Sequence, residues 1–308
     1  QHIEYSHQLI LKRDVVQRQL GRFEELSDVQ VLSTIPCKTE YGYRNHARFT
    51  VRQSGFLGFI NRITRRFVQV DSCLLMSPWI NDTLNRLQGR CQETSQLSVR
   101  YGINTGDWLV QPTLQGSDIP LDTGQTHYRE MLLGKSFRVA SPSFFQVNTS
   151  QAERLALLVR DRLQLTGVET LIDAYAGVGI FAVLMAPLAR QALAIEEAEA
   201  ALKDASVNTL GIKNLEFRHG KVEEVLRNLE KRPDAVILDP PRAGCAPPAL
   251  EAVIKWAPRR VVYVSCEPET LARDLAVMAK GGLRIEMVEP IDMFPQTHHV
   301  ECVATLST

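Results

Sequence analysis

Thr170-Leu171-Ile172-Asp173-Ala174-Tyr175-Ala176-Gly177-Val178-Gly179-Ile180-Phe181-Ala182 reads as a short apolar strand, a glycine turn and the start of a helix. Glycines at such a turn let the backbone come close to a ligand. Downstream, short strand-like runs repeat at Ala192–Glu196, Leu215–His219, Ala235–Leu238 and Arg260–Ser265. Helical segments near 180–189, 199–210, 222–231, 247–257 and 268–280 separate them. That alternation predicts right-handed βαβ units and a parallel sheet covered on both faces. Ile285–Pro290 and His298–Leu306 have no helix between them, so they are expected to pair as a hairpin.

Upstream the pattern differs. Ile3, Leu9, Ile10, Val16, Leu20 and Phe23 recur at helical spacing. From about Val29 to Phe137 short runs broken by Gly, Pro and Asn predict a mostly antiparallel module, with strands at Ala47–Val51, Phe67–Val70 and Gln96–Tyr101. One helix, Pro78 to about Leu87, follows Ser77 as N-cap with Pro at the first helical position. Asn148 or Thr149 is expected to cap a further helix. The domain division expected is therefore 1–135, a helix plus antiparallel β module, and 136–308, the α/β domain.

The chain has 308 residues, 35 Lys and Arg against 35 Asp and Glu, and zero formal net charge. Zero argues against a nucleic-acid partner only if the charge is evenly spread. It is not: residues 1–150 carry +4 and 151–308 carry −4. No acidic residue stands between Tyr41 and Val70, where Arg44, Arg48, Arg52, Arg62, Arg65 and Arg66 all fall. No apolar run approaches the ~18 residues of a membrane span. The six cysteines form no CxxC pair and read as reduced thiols, which predicts a cytoplasmic protein.

Ligands of open α/β sheets bind at the carboxyl ends of the strands. Here those ends carry Asp173 and Gly177, then Glu196, then Asp239-Pro240-Pro241-Arg242. Glu196 is placed to accept two ribose hydroxyls. Gly177-Val178-Gly179-Ile180-Phe181-Ala182 approaches a dinucleotide motif. Asp173 would repel a pyrophosphate, however, and suits the ammonium of S-adenosylmethionine. Methyl transfer is thus favoured over hydride transfer.

Cys266 follows the last parallel strand, Tyr263-Val264-Ser265, and should emerge at the same edge. Pro268 and Thr270 begin a helix whose N-terminal dipole would favour a thiolate. A thiolate beside a methyl donor suggests chemistry at carbon 5 of a pyrimidine. That carbon is too weak a nucleophile unaided, but thiolate addition at carbon 6 makes it an enolate carbon. A base must then take the carbon 5 proton so that the thiolate can leave. Candidate bases lie in Ile291-Asp292-Met293-Phe294-Pro295-Gln296-Thr297-His298-His299-Val300-Glu301. His298 and His299, adjacent on a strand, would point to opposite faces and are not expected to share a metal.

Two long stretches resemble the RNA uridine-5 methyltransferases that act on tRNA and 23S rRNA. One is Asp239-Pro240-Pro241-Arg242-Ala243-Gly244 followed by Val261-Val262-Tyr263-Val264-Ser265-Cys266; the other runs from Asp292 to Glu301. A looser likeness passes through Tyr43-Arg44-Asn45 and Gly55 to Cys73. The resemblance implies a class I (Rossmann-like) S-adenosylmethionine methyltransferase domain, with an N-terminal RNA-recognition domain. It implies Cys266 as nucleophile and Glu301 as base. Gln146, Tyr175, Glu196 and Asp239 would surround S-adenosylmethionine, with Gly177 at the turn. Phe144 and Asn148 would lie near cofactor or flipped uridine, and one of Phe144 and Phe145 in the core. Arg44, Arg48 and Arg242 join them as candidate contacts to structured RNA.

The chain also departs from the pattern. Glu267 stands where Asn usually follows the cysteine, and its charge would raise the Cys266 pKa. Ala176 replaces a common Cys, and Lys221 occupies the approximate place of a polar residue near the adenine. Gln1 to Tyr5 resembles the segment directly after the cysteine cluster in relatives that carry a TRAM β-barrel domain and a 4Fe–4S centre. Cys73 resembles the fourth, distant ligand, and one thiolate cannot hold a cluster. Either the chain is a fragment or Cys73 is merely a buried thiol; it is expected to hold no metal and to be monomeric and away from membranes. Competing functions are a catalytically weak RNA-binding or RNA-folding module, and a methyltransferase of the same fold with another target base. A cytidine-5 enzyme would have Cys after the proline that Arg242 follows. An amino methyltransferase would show N-P-P-aromatic and need no cysteine.

Overall fold

The computed structural model describes residues 2–52 and 54–308 and divides into two units, one from residues 1–38 with 151–308 and the other from 39–150. Both differ from the expected boundary at 135. The first helix, α1 (Tyr5–Leu20), sends Val16 and Leu20 into the same core as Tyr263, Leu271 and Leu275, so it belongs to the α/β unit. β1 (Gln30–Val31) follows it and joins the large sheet of that unit.

The buried face of α1 is Gln8, Lys12, Val16 and Leu20, one residue per turn, while Ile10, Leu11 and Val15 are exposed. The apolar spacing therefore misplaced half of this face. The reason is Asp292, which is fully buried and forms an ion pair with Lys12. Lys12 also donates to the Phe294 carbonyl at 3.0 Å, and Gln8 donates to the Gln296 side chain at 3.1 Å. Burial lowers the Lys12 pKa, while the Asp292 carboxylate opposes that shift. Removing one partner of a buried pair strands the other charge at a cost of about 3–5 kcal/mol. Lys12→Met is therefore expected to destabilise the chain by about that amount in urea unfolding. Little or no change in the midpoint would contradict the assignment.

The second unit contains β2 (His46–Arg52), β3 (Phe56–Ile60), β4 (Phe67–Gln69), α2 (Pro78–Leu87), β5 (Gln96–Tyr101), β6 (Trp108–Gln111), β7 (His127–Leu132) and β8 (Lys135–Ala140). Five strands form an antiparallel sheet in the order β4-β3-β2-β5-β6, and β7 and β8 form a separate hairpin. Pairing with β7 keeps β8 in this unit. On β2 burial alternates, with Ala47, Phe49 and Val51 inward and Arg48 and Arg52 outward. The inward residues pack with Leu57, Leu97, Val99 and the Ile80, Leu84 and Leu87 stripe of α2. Ser77 caps α2 as expected, its hydroxyl accepting from the Ile80 N–H.

The remaining elements are α3 (Thr149–Leu163), β9 (Thr170–Ala174), α4 (Ile180–Met185), β10 (Gln191–Glu196), α5 (Glu199–Asn208), β11 (Leu215–His219), α6 (Val222–Arg227), β12 (Ala235–Leu238), α7 (Pro247–Trp256), β13 (Arg260–Ser265), α8 (Pro268–Lys280), β14 (Arg284–Ile291) and β15 (Glu301–Ser307). They follow the expected alternation closely. The sheet order is β1-β14-β15-β13-β12-β9-β10-β11, with β15 antiparallel to both neighbours and every other pair parallel. β14 and β15 pair as a hairpin. β15 begins at Glu301 rather than His298, because residues 292–300 form an irregular connection around the buried Asp292. Reversal at β9, with β10 on one side and β12 on the other, places a crevice at the carboxyl ends of these strands. No helix among the described residues is long and apolar enough to cross a membrane.

Candidate active site

The turn from β9 to α4 bends through three left-handed residues, Tyr175 (φ 67°), Gly177 (φ 57°) and Gly179 (φ 92°). A Cβ on Gly177 would meet no atom within 4 Å, so this backbone is open to a ligand. A Cβ on Gly179 would press on the Phe217 ring at 3.0 Å. Glu196, at the end of β10, accepts from the Gly177 N–H at 2.7 Å and from the Ala198 N–H at 2.6 Å. Each oxygen keeps a lone pair for a donor such as a ribose hydroxyl.

Asp173 is 1% exposed, and neither carboxylate oxygen has a hydrogen-bond partner among the described residues. Burial raises its pKa well above the usual carboxylate range, the charges of Asp239 and Glu196 add to the rise, and the nearby Ala182 backbone N–H opposes it. Burial also pushes Asp239 up to about 7. Three carboxylates thus converge on one strand edge, one of them buried without a partner. That arrangement fits a cation carrying a diol and disfavours a pyrophosphate. Tyr175 is half-buried against the core, and burial, with Cys245 close by, raises the pKa of its hydroxyl.

Cys266 and Glu301 meet because β13 and β15 run antiparallel. Their register pairs Val264 with Val303 and Ser265 with Cys302. Continued by one residue, the same register sets Cys266 opposite Glu301. Ser265 closes a tight turn there: its Oγ accepts from the Glu267 N–H at 3.1 Å. Cys266 is partly exposed rather than a core thiol, whereas Glu301 is 4% exposed. Burial raises the Cys266 pKa, the Glu301 charge raises it further, and a hydrogen bond from Arg242 opposes both. Burial and the facing carboxylate thus oppose the support for a thiolate expected of the helix N-terminus, and the net direction is upward. Glu301 lies well above the usual carboxylate range, first through burial and then through Asp239, with Arg242 opposing.

The loop bearing Asp239 and Arg242 is fixed from below by Asp274 on α8. Asp274 accepts from the Tyr263 hydroxyl at 2.6 Å, from the Cys245 N–H at 2.8 Å and from Arg273 at 2.7 Å. Arg273 also donates to the Ala243 carbonyl, and Thr270 to the Arg242 carbonyl. Sequence reading missed Asp274. Its signal is a charge within the apolar register Leu271, Leu275 and Met278 of a surface helix, all of them buried.

The other expected contacts lie in the second unit. Asn45 is buried and donates to the Gln146 carbonyl at 3.1 Å and to the Thr149 hydroxyl at 2.9 Å, which anchors the Gln146–Asn148 segment. Gln146 and Asn148 are buried; Phe144 is 69% exposed and Phe145 buried, so one of the two aromatics is core. Arg44 donates to the His46 carbonyl and is half-buried, and Arg48 is exposed and bonded to Gln96. Lys221 is exposed and precedes α6. Ala176 is buried. Cys73 is half-buried, its backbone held on both sides by Asn81. His298 and His299 stand in the loop before β15, their rings 4.1 Å apart rather than on opposite faces of a strand. No cluster of three or more His, Cys, Asp or Glu side chains among the described residues is arranged to hold a metal ion.

Comparison with known proteins gives the arrangement a family. An uncharacterized RNA methyltransferase of Gloeobacter violaceus is 34% identical over 365 aligned positions, covering 99% of this chain and 79% of the relative. One of Listeria monocytogenes is 31% identical, covering 99% and 80%. The crystal structure of Pyrococcus abyssi tRNA (uracil-54, C5)-methyltransferase in complex with S-adenosyl-L-homocysteine superposes with a TM-score of 0.82 at 28% identity. It covers 99% of this chain and 84% of that one. The α/β unit accordingly has the Rossmann-like methyltransferase fold, and the β-rich unit of residues 39–150 is inserted within its sequence. A family model described as tRNA (uracil-5-)-methyltransferase matches residues 122–308, more than half of the chain, and with these relatives it shows that the chain belongs to that family of RNA methyltransferases.

Proposed function

We propose that this chain methylates carbon 5 of a uridine in structured RNA through a covalent bond between Cys266 and carbon 6. The observation that carries the reading is the register that sets a half-exposed cysteine opposite a buried carboxylate, beside Asp239 and Arg242. S-adenosylmethionine supplies an electrophilic methyl group. Its ammonium suits the partnerless carboxylate of Asp173, its ribose diol suits Glu196, and the open face of Gly177 admits its close approach. Asp239 and Tyr175 complete the cofactor contacts of the α/β unit in this reading, and Gln146 remains a candidate by the resemblance alone.

The Cys266 thiolate attacks carbon 6 of the uracil, and the displaced electron pair moves to carbon 5 and the carbonyl. Arg242 holds the thiolate before attack. Carbon 5 then takes the methyl group. Glu301 removes the carbon 5 proton, the double bond re-forms, and the bond to sulfur breaks. A raised carboxylate pKa suits Glu301, since a stronger base takes a proton from carbon more readily. A double-helical uridine cannot reach Cys266, so the base must be turned out of its stack. Phe144, Asn148, Arg44 and Arg48 are candidate contacts to that RNA.

The family description and the Pyrococcus structure make tRNA the first substrate to test, with 23S rRNA beside it. Incubation with methyl-labelled S-adenosylmethionine and unmodified transcripts of each should yield 5-methyluridine in one. Label absent from nucleosides of both would overturn the reading.

The site also sets a pH profile. Cys266 must be deprotonated to attack, and its pKa lies above that of an ordinary thiol. Glu301 must be deprotonated to act as base, and its pKa is raised too. Both ionisations increase with pH, so kcat/KM should rise with pH and should still be rising where an ordinary thiol is already ionised. Arg242→Gln removes the hydrogen bond that favours the thiolate and should move the rising limb to higher pH. A flat profile in the parent protein would contradict this assignment.

A further inference from the structure

The connection between β3 and β4 is an ordered turn that exposes an apolar side chain among arginines. Asn61 organises it: its side-chain oxygen accepts from the Ile63 and Thr64 N–H groups, both at 2.9 Å. Its backbone bonds in both directions, with the Arg66 carbonyl and the Arg65 N–H, each at 2.9 Å. At the apex Ile63 is 92% exposed, and Arg62, Arg65 and Arg66 around it are exposed. The side chains of these three arginines make no ion pair or hydrogen bond among the described residues. Ile60 and Val68, next to the turn, are also exposed.

An isoleucine held in water by a rigid turn gains nothing for the fold, since burying it would stabilise the chain. Its surroundings identify what would cover it. The stretch from Tyr41 to Val70 has no carboxylate, so the partner is polyanionic. Arg48 and Arg52 lie on the outward face of β2, which pairs with β3, so positive charge continues from the turn along the sheet. Arginine binds phosphate bidentately and stacks on bases. An apolar side chain between such arginines fits the flat face of a base that has left its stack, as apolar wedges do where proteins unstack base steps.

We infer that the Asn61–Arg66 turn is an RNA-docking finger, with Arg62, Arg65 and Arg66 on phosphates and Ile63 against an unstacked base. The inference rests on the proposed function only in taking structured RNA as the partner. Two variants of the full chain test it: Arg62→Ala, Arg65→Ala and Arg66→Ala combined, and Ile63→Ser alone. Neither touches the core, and unchanged thermal melting checks the fold. The probe is a pool of unmodified tRNA transcripts titrated between 50 and 200 mM salt.

The triple variant should bind about tenfold more weakly or worse at the lower salt, with a salt slope smaller by about 2–3, the value for three lost phosphate contacts. Ile63→Ser should bind several-fold more weakly with the slope unchanged. Wild-type affinity and slope in either variant would overturn the finger. Adduct formation by the parent protein on 5-fluorouridine tRNA is scored separately. An adduct together with unaffected binding by the variants refutes the finger alone. Weakened binding by the variants without any adduct refutes the methyl-transfer reading alone.

Discussion

Cys266→Ala is expected to abolish methylation, lowering kcat/KM by roughly 10⁴-fold or more, as removal of a covalent nucleophile does elsewhere. Without addition at carbon 6, carbon 5 stays too weak a nucleophile, and neither Asp239 nor Arg242 can replace the lost bond. Stability should hardly change, because Cys266 is partly exposed and fills no core position. Binding of RNA should survive, since the thiol acts on the base after docking. The assay is label transfer from S-adenosylmethionine to unmodified tRNA, with a filter-binding control. An alanine variant retaining more than about a tenth of the parent rate would mean that Cys266 is not the nucleophile.

Glu301→Gln is expected to stop the reaction one step later. The amide keeps the shape of the side chain but cannot take the carbon 5 proton. Addition and methyl transfer proceed, and elimination then stalls. Turnover should fall by about 10²–10⁴-fold, the range for losing a positioned general base. At the same time a methylated RNA–protein adduct should accumulate on ordinary uridine. The variant should fold, because burial disfavours the charge that the substitution removes. The two variants are thus separated by their products, one leaving no adduct and the other trapping it. Normal turnover with Glu301→Gln would exclude Glu301 as the base.

The α/β unit was legible because its signals are local. Short strand-like runs between helical segments correspond to β9–β13 with few shifted ends, four of them largely apolar and β11 (Leu215–His219) alternating. The candidate chemistry was legible for the same reason: strand ends carry it, and topology brings strand ends to one edge. What could not be read was long-range. The N-terminal helix shows an apolar pattern, yet it turns Gln8 and Lys12 inward because Asp292, 280 residues away, must be neutralised. β1 has only two residues and adds to the far edge beside β14. The acidity of Cys266 could not be read either, since it depends on how deeply the thiol sits and on the carboxylate facing it. Asp274 supports the Asp239–Arg242 loop from a helix with no motif of its own.

The covalent bond is the central claim, and 5-fluorouridine RNA tests it most directly. Fluorine at carbon 5 cannot leave as a proton, so an enzyme that adds its thiolate to carbon 6 is trapped after methyl transfer. Incubation of the parent protein with S-adenosylmethionine and 5-fluorouridine tRNA should give a denaturation-resistant protein–RNA band. Digestion and mass spectrometry should place the nucleotide on the peptide containing Cys266. The Cys266→Ala protein should give none. RNA binding without a covalent band on tRNA or 23S rRNA fragments, or an adduct on another residue, would contradict the account.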